Sequence, residues 1–230
     1  MKSQGEGHAL WVNVKEEMVK KHNAKGSGMC LSEYVSFVIK SDFKNIAFTT
    51  SRYKFAMKLL FGKKTLLEIG CNEGFFTRMF YGTKERIVGV DFDEDAIDFA
   101  RNNNSDKNTH FICCDFLEYQ SSELFDSVVS FDVIEHISKE KEGKLFTNLC
   151  SSIDRNGIAI IGTPNLDAAK YQTESSAKWH INLYSHERLI EVGRKYFHNA
   201  FLFSQNDEMI HTGFYPMAHY LILVGVSPIK

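Results

Sequence analysis

The stretch Thr65-Leu-Leu-Glu-Ile-Gly-Cys-Asn-Glu-Gly-Phe-Phe76 sets the reading of the whole chain. Its apolar run ends at Ile69, Gly70 and Gly74 bracket a tight turn, and a helix is expected to start at about Phe75. Glycine carries no Cβ, so it takes unusual dihedrals without strain and lets backbone lie close to a ligand. In an open α/β sheet, ligands sit at the carboxyl ends of the strands, where such a turn lies.

Outward from this turn, short apolar runs alternate with helical patterns. Strands are expected at 65–69, 86–90, 109–113, 127–130 and 158–162, with helices at 75–80, 94–102 and 139–151 between them. Such alternation implies a mainly parallel sheet with helices on both faces. After Pro164 come a loop, a helix at 186–196 capped by Ser185, and two closing strands at 200–204 and 220–226. The last strand follows so closely that antiparallel insertion is expected, making a Rossmann-like, seven-stranded sheet. Before residue 63, helices are expected at 10–22, at 32–40 with Ser32 as N-cap, and at 52–61. The expected organisation is a helical N-terminal cap at 1–62 on an α/β core at 63–230, together one globular unit.

Composition narrows the class. A chain of 230 residues can bury one substantial core, and its 43% hydrophobic and 24% charged residues are ordinary for a water-soluble protein. A net charge of −2 supplies no electrostatic footprint for nucleic acid or an anionic membrane. The cysteines (Cys30, Cys71, Cys113, Cys114 and Cys150) are odd in number and form no CxxC, which reads as reduced thiols in a cytoplasmic protein. The opening MKSQGEGHAL lacks the apolar run of a signal peptide, and no stretch approaches the roughly 18 apolar residues of a membrane-spanning helix.

Two acids extend the first turn into a site. Ile87-Val-Gly-Val-Asp91 ends the second strand and Phe111-Ile-Cys-Cys-Asp115 ends the third. A carboxylate at the first position can accept both hydroxyls of a ribose, and one at the second can accept from an adenine amino group. Taken singly, each has an ordinary explanation: a glycine turn is common, and a strand-end Asp often serves a turn or cap, as Asp93 is expected to do for the helix at 94–102. Their order along the sheet describes a nucleoside. A dinucleotide would need a third small residue for its pyrophosphate, and the acidic Glu73 is poor company for a diphosphate.

Over about residues 65–165 the chain resembles the class I S-adenosylmethionine-dependent methyltransferases. Glu68-Ile-Gly70-Cys71-Asn72-Glu73-Gly74 is similar to their E/D-x-G-x-G-x-G turn, with Asn72 in place of the middle glycine. Asn tolerates the left-handed region better than most residues. The resemblance implies S-adenosylmethionine as cofactor. It places Gly70, Cys71, Asn72, Gly74 and Phe75 around the methionine portion, Asp91 with Phe92 at the ribose, and Asp115 with Phe116 at the adenine. Glu68 would steady the turn and reach the ligand's ammonium through water, and Phe131 and Asp132 would lie beside the cofactor.

The segment Asp132-Val-Ile-Glu135-His136 is similar to the E-x-x-E-H segment of ubiquinone-pathway O-methyltransferases and small-RNA 2′-O-methyltransferases. In those relatives acids and histidine bind a divalent ion near the hydroxyl to be methylated. A divalent ion here would be held by Asp132, Glu135 and His136. The open alternatives are that Glu135 and His136 only orient the loop, or that His136 is a general base. His180, in His180-Ile-Asn-Leu-Tyr-Ser-His186, is a second candidate base or a distant ligand, against a plain structural role. His186 in a first helical turn and His211 before the last strand are read as structural. Trp11, Tyr34 and Phe37 on the N-terminal helices either form a lid over the site or serve packing or a homodimer contact.

The function expected is methyl transfer from S-adenosylmethionine to a small-molecule acceptor, at a hydroxyl oxygen, with a nitrogen acceptor open. The texture of Ile161-Gly-Thr-Pro-Asn165 and of 180–189 resembles methyltransferases acting on sugars or surface-polysaccharide precursors. The alternatives are an RNA 2′-O-methyltransferase and a non-catalytic S-adenosylmethionine-binding protein.

Overall fold

The computed structural model describes residues 12–20 and 30–230, apart from the side chain of Ser175. The chain divides into two units, residues 1–33 and 34–230. In the first, residues 12–20 are helical; the remainder of the helix expected at 10–22, with Trp11, lies outside the described residues.

The second unit carries an eight-stranded sheet in the order β3-β2-β1-β4-β5-β8-β6-β7. Its strands are β1 (Thr65–Ile69), β2 (Arg86–Asp91), β3 (Thr109–Cys113), β4 (Phe125–Phe131), β5 (Ile153–Pro164), β6 (Phe197–Asn206), β7 (Met209–His211) and β8 (Tyr220–Pro228). The first five are parallel, and β8 inserts antiparallel between β5 and β6. The eighth strand, one more than expected, is the three-residue β7, which folds back on the end of β6. Three residues around His211 carry too little alternation to read as a strand.

Consecutive residues of the central strands are buried together. Leu66 and Leu67 are both fully buried, as are Ile87 and Val88, and Val128 and Val129. This is the signature of a sheet covered on both faces, and it is why these strands read as unbroken apolar runs. Leu67, Val88 and Val128 enter one core with Phe146 and Leu149, whereas Leu66, Ile87 and Val129 enter another with Tyr53, Ala56 and Phe80.

The helices are α1 (Glu33–Ser41), α2 (Phe43–Leu59), α3 (Glu94–Asn102), α4 (Glu142–Ser152), α5 (Glu174–Trp179) and α6 (His186–Tyr196). α3 and α6 have the expected bounds, and Asp93 and Ser185 cap them through the backbone N–H groups of Ala96 and Arg188. α2 begins nine residues before the expected Arg52, with Asp42 capping it at Lys44 N–H. Its first half, Phe43-Lys-Asn-Ile-Ala-Phe-Thr-Thr, mixes polar and β-branched residues without a clean apolar stripe. The helix expected at 75–80 is instead a 3₁₀ turn, Phe76–Phe80. Five residues give little return on an α-helical nucleus, and i→i+3 bonds suit so short a piece. α5, capped by Thr173, occupies part of the segment expected to be loop.

α2 is fastened to the sheet at its C-terminus. The buried Lys84 ammonium donates to the carbonyls of Leu60 and Lys63 at 2.6 and 3.0 Å. A cation there answers both the unpaired carbonyls and the negative end of the helix dipole. Among the described residues no helix is long and apolar enough to cross a membrane.

Candidate functional site

The register aligns the ends of β1, β2, β3 and β4 along one edge, with Ile69 opposite Val90 and Ser130, and Asp91 opposite Cys113. The strand order reverses between β1 and β4, the switch point where open α/β sheets form crevices. Gly70, Asn72 and Gly74 have φ of 77°, 49° and 70°. Asn72 therefore fills the place of the middle glycine in the left-handed conformation expected of it. A Cβ on Gly70 would meet Val133 Cγ2 at 2.3 Å, and one on Gly74 would meet Phe111 Cζ at 2.6 Å. Both glycines are thus required by dihedral and by space.

Asp91 locks the turn to the end of β2. Its carboxylate accepts from Asn72 N–H at 2.8 Å and Asp93 N–H at 3.0 Å. An ionised carboxylate has about four lone-pair positions, so two remain for hydroxyls. Asp115 accepts from Leu117 N–H at 2.9 Å.

Two cavities open on this edge. The first, about 500 Å³, is lined by Gly70, Asn72, Asp91, Phe92, Asp115, Phe116, Asp132 and His136 among others. The second, about 650 Å³, is lined by Tyr34, Arg52, Cys71, Phe75, Phe131, Glu135, His136 and His180 among others. Gly70, Asn72, Asp132, His136 and Trp179 belong to both walls. The first has the dimensions and acids for a nucleoside. The second adjoins it where a transferable group would emerge.

Glu68 lines neither cavity. It is 1% exposed and accepts from Tyr53 Oη at 2.6 Å, so it ties β1 to α2 rather than facing a ligand. Burial pushes its carboxyl up to about 7. In the unfolded chain it titrates near 4.5, so the native state keeps a proton that the unfolded state releases. Stability should therefore fall as pH rises from about 4.5 to 7, by roughly 2–3 kcal/mol from this group. Glu68→Gln, which still accepts from Tyr53, should lack that loss. Denaturant titrations at pH 5 and 8 check this, and identical pH dependence in both proteins would refute it.

At the reacting end the residues rearrange relative to expectation. Asp132 sits at φ 57°, and its carboxylate accepts from Arg52 Nη1 at 2.8 Å. Arg52 also donates through Nε to the buried Gln205 at 2.9 Å and stacks 3.5 Å above the Tyr220 ring. The carboxylate expected to join Glu135 and His136 is thus held by a guanidinium. His180 takes its place: single ligand atoms of Glu135, His136 and His180 lie within 4.8 Å of one another. Metal–oxygen bonds of 2.0–2.6 Å allow two ligands of one ion to stand up to about 5 Å apart.

Burial perturbs two members of the trio, Glu135 and His180. Glu135 is fully buried, accepts from Thr163 Oγ1 at 3.1 Å, and leaves Oε1 without a partner. Burial first, and then the charge of Asp132, push its carboxyl up to about 8. His136 Nδ1 lies 2.9 Å from the Trp179 carbonyl. A carbonyl only accepts, so Nδ1 is the donor in this bond. His180 Nδ1 is buried without a partner, and burial together with nearby His136 lowers its pKa. Two buried polar atoms without partners, Glu135 Oε1 and His180 Nδ1, in one cluster fit a cation better than they fit a packed core.

His186 stacks on Tyr215 and lies beside Asp167 and Glu187, and His211 contacts Asn206; neither lines the two cavities. Arg52 and Trp179 were not singled out from sequence. Arg52 stands one residue before Tyr53 on the buried side of α2, and a charge beside a core aromatic was its one visible signal.

Comparison with known proteins gives the family and the fold. The chain matches the family described as "Methyltransferase domain" over residues 60–206. It is 27% identical over 113 residues to a ubiquinone biosynthesis O-methyltransferase of Rickettsia akari, covering 47% of this chain and 43% of that protein. The chain spans about half the length of the curated relatives it matches. Its fold is similar to that of the N-methyltransferase NodS of Bradyrhizobium japonicum solved with S-adenosyl-L-homocysteine. The TM-score there is 0.62 at 18% identity, covering 86% of this chain and 94% of that one. It is also similar to the methyltransferase domain of bacterial CtHen1, at TM-score 0.63 and 15% identity, covering 78% and 99%.

Proposed function

The chain belongs to the methyltransferase domain family, as a class I S-adenosylmethionine-dependent member, and from that membership we propose that it methylates a hydroxyl oxygen of a small-molecule acceptor. The observation that carries the reading is the junction of the two cavities at Gly70, Asp132 and His136. An oxygen acceptor is favoured by the trio of Glu135, His136 and His180, which reaches from that junction into the second cavity.

S-adenosylmethionine supplies an electrophilic methyl group on a sulfonium. Asp91 would accept the ribose hydroxyls, Asp115 would accept from the adenine amino group, and Phe116 would pack against the base. The backbone at Gly70 would hold the methionine portion, and Asp132, on the wall shared by the two cavities, would stand near the reacting end. Glu135 Oε1, His136 Nε2 and His180 Nδ1 would hold a divalent cation, which supplies Lewis acidity that favours the acceptor alkoxide. Asn45, Thr49 and Ser176, set among Val35, Ile46 and Phe75 in the same cavity, suit a polyhydroxylated acceptor such as a sugar or surface-polysaccharide precursor.

The test is a transfer assay with methyl-labelled cofactor over nucleotide sugars, glycan precursors and phenols. Label should pass to a hydroxylated compound, stop in EDTA, and resume with Mg²⁺ or Mn²⁺. Full activity in chelator would remove the cation. Transfer to amines alone would remove the oxygen acceptor, and transfer to RNA alone the small-molecule one.

A further inference from the structure

The segment carrying His180 is fastened by a polar network whose side chains, those of Asn182, Tyr184, Glu142 and Arg188, line neither cavity. Asn182 N–H donates to the Glu135 carbonyl at 3.0 Å, and Leu166 N–H donates to the Tyr184 carbonyl at 2.9 Å. The Asn182 and Tyr184 side chains are buried, and Asn182 Nδ2 donates to Tyr184 Oη at 3.2 Å. Tyr184 Oη in turn donates to Glu142 Oε2 at 2.5 Å, reaching the first turn of α4. Arg188 on α6 closes the network. Its Nη1 donates to Asn182 Oδ1 at 2.8 Å and to the Leu183 carbonyl at 3.1 Å, its Nη2 pairs with Glu142, and its plane lies 4.1 Å above the Tyr184 ring.

We infer that Arg188 is a positioning residue that holds the His180 ring at its distance from Glu135 and His136, and thereby sets the affinity of that trio for a divalent cation. The inference rests on the reading of the trio as a cation site. Two of its members, Glu135 and His136, sit on one short turn, Ile134–His136. The third arrives from a separate segment, so its distance is set by whatever ties that segment to the turn. Two ties flank His180: the Trp179 carbonyl meets His136 Nδ1 on one side, and Asn182 N–H meets the Glu135 carbonyl on the other, where Arg188 holds Asn182 from behind. A planar fork that serves a side-chain amide, a carbonyl and a carboxylate at once is a task for arginine that lysine cannot perform. Partners behind metal ligands typically change metal affinity by 10–100-fold.

Arg188→Lys separates this role from simple stability, because the ammonium keeps its ion pair with Glu142 while losing the fork. Mn²⁺ titration of the full chain by electron paramagnetic resonance should show a drop in affinity of about tenfold. Calorimetric affinity for S-adenosylmethionine should stay within about twofold, since the first cavity is untouched. Tyr184→Phe, which removes one hydroxyl and keeps the packing, should lower Mn²⁺ affinity by a smaller factor and decides the matter if the lysine variant does not fold. Unchanged Mn²⁺ affinity in a folded variant overturns the inference, as does an equal loss of Mn²⁺ and S-adenosylmethionine affinity. Failure of the unaltered chain to bind Mn²⁺ overturns the cation reading itself, and the inference with it.

Discussion

Replacing Glu135 by glutamine is expected to slow methyl transfer by about a thousandfold, roughly 4 kcal/mol of barrier, with cofactor affinity nearly unchanged. Glutamine keeps an oxygen for the Thr163 hydroxyl, so the local hydrogen bond survives. What it loses is the second, unpartnered oxygen as an anionic ligand. Single-turnover rates at saturating cofactor measure the effect, and a loss below tenfold would contradict a cation role. The unaltered protein offers a second readout. Because burial raises this carboxyl to about 8, it is mostly protonated at neutral pH, and a cation must displace the proton. Cation affinity should therefore climb as pH rises towards 8, and this climb should vanish in Glu135→Gln.

Asp91→Ala is expected to weaken S-adenosylmethionine binding by at least a hundredfold in calorimetry. Hydrogen bonds to a charged group contribute about 1.5–3 kcal/mol each, and two ribose hydroxyls are assigned to this carboxylate. The same substitution frees the Asn72 and Asp93 N–H groups and loosens the glycine turn. Asp91→Asn keeps an acceptor oxygen for one of these partners, so it should fall between the two. Unchanged affinity in the alanine protein would remove the ribose assignment.

The parts of this site that follow from local chain chemistry were legible in the sequence. β1, its turn and Asp91 could be read because a strand buried on both faces is an unbroken apolar run, and because positive φ favours Gly and Asn. Asp93 and Ser185 were legible as caps for the same local reason. The fate of Asp132 was not, since its partner Arg52 is eighty residues away, on a helix whose packing against the site no local pattern announces. Glu68 was expected to steady the turn and to reach the ligand through water. Its partner Tyr53, fifteen residues earlier on α2, holds it in the core. His180 was one candidate histidine, and the bonds that bring it, and not His186, to Glu135 and His136 are long-range ones, from the Trp179 carbonyl to His136 and from Asn182 N–H to the Glu135 carbonyl.

Donor and acceptor are proposed to meet where the two cavities join, and a crystal structure of the chain with S-adenosyl-L-homocysteine would show it. Adenosine should occupy the first cavity, with the ribose on Asp91 and the sulfur beside Gly70, Asp132 and His136, facing the second cavity. A ligand bound elsewhere, or a sulfur turned away from the second cavity, would contradict it.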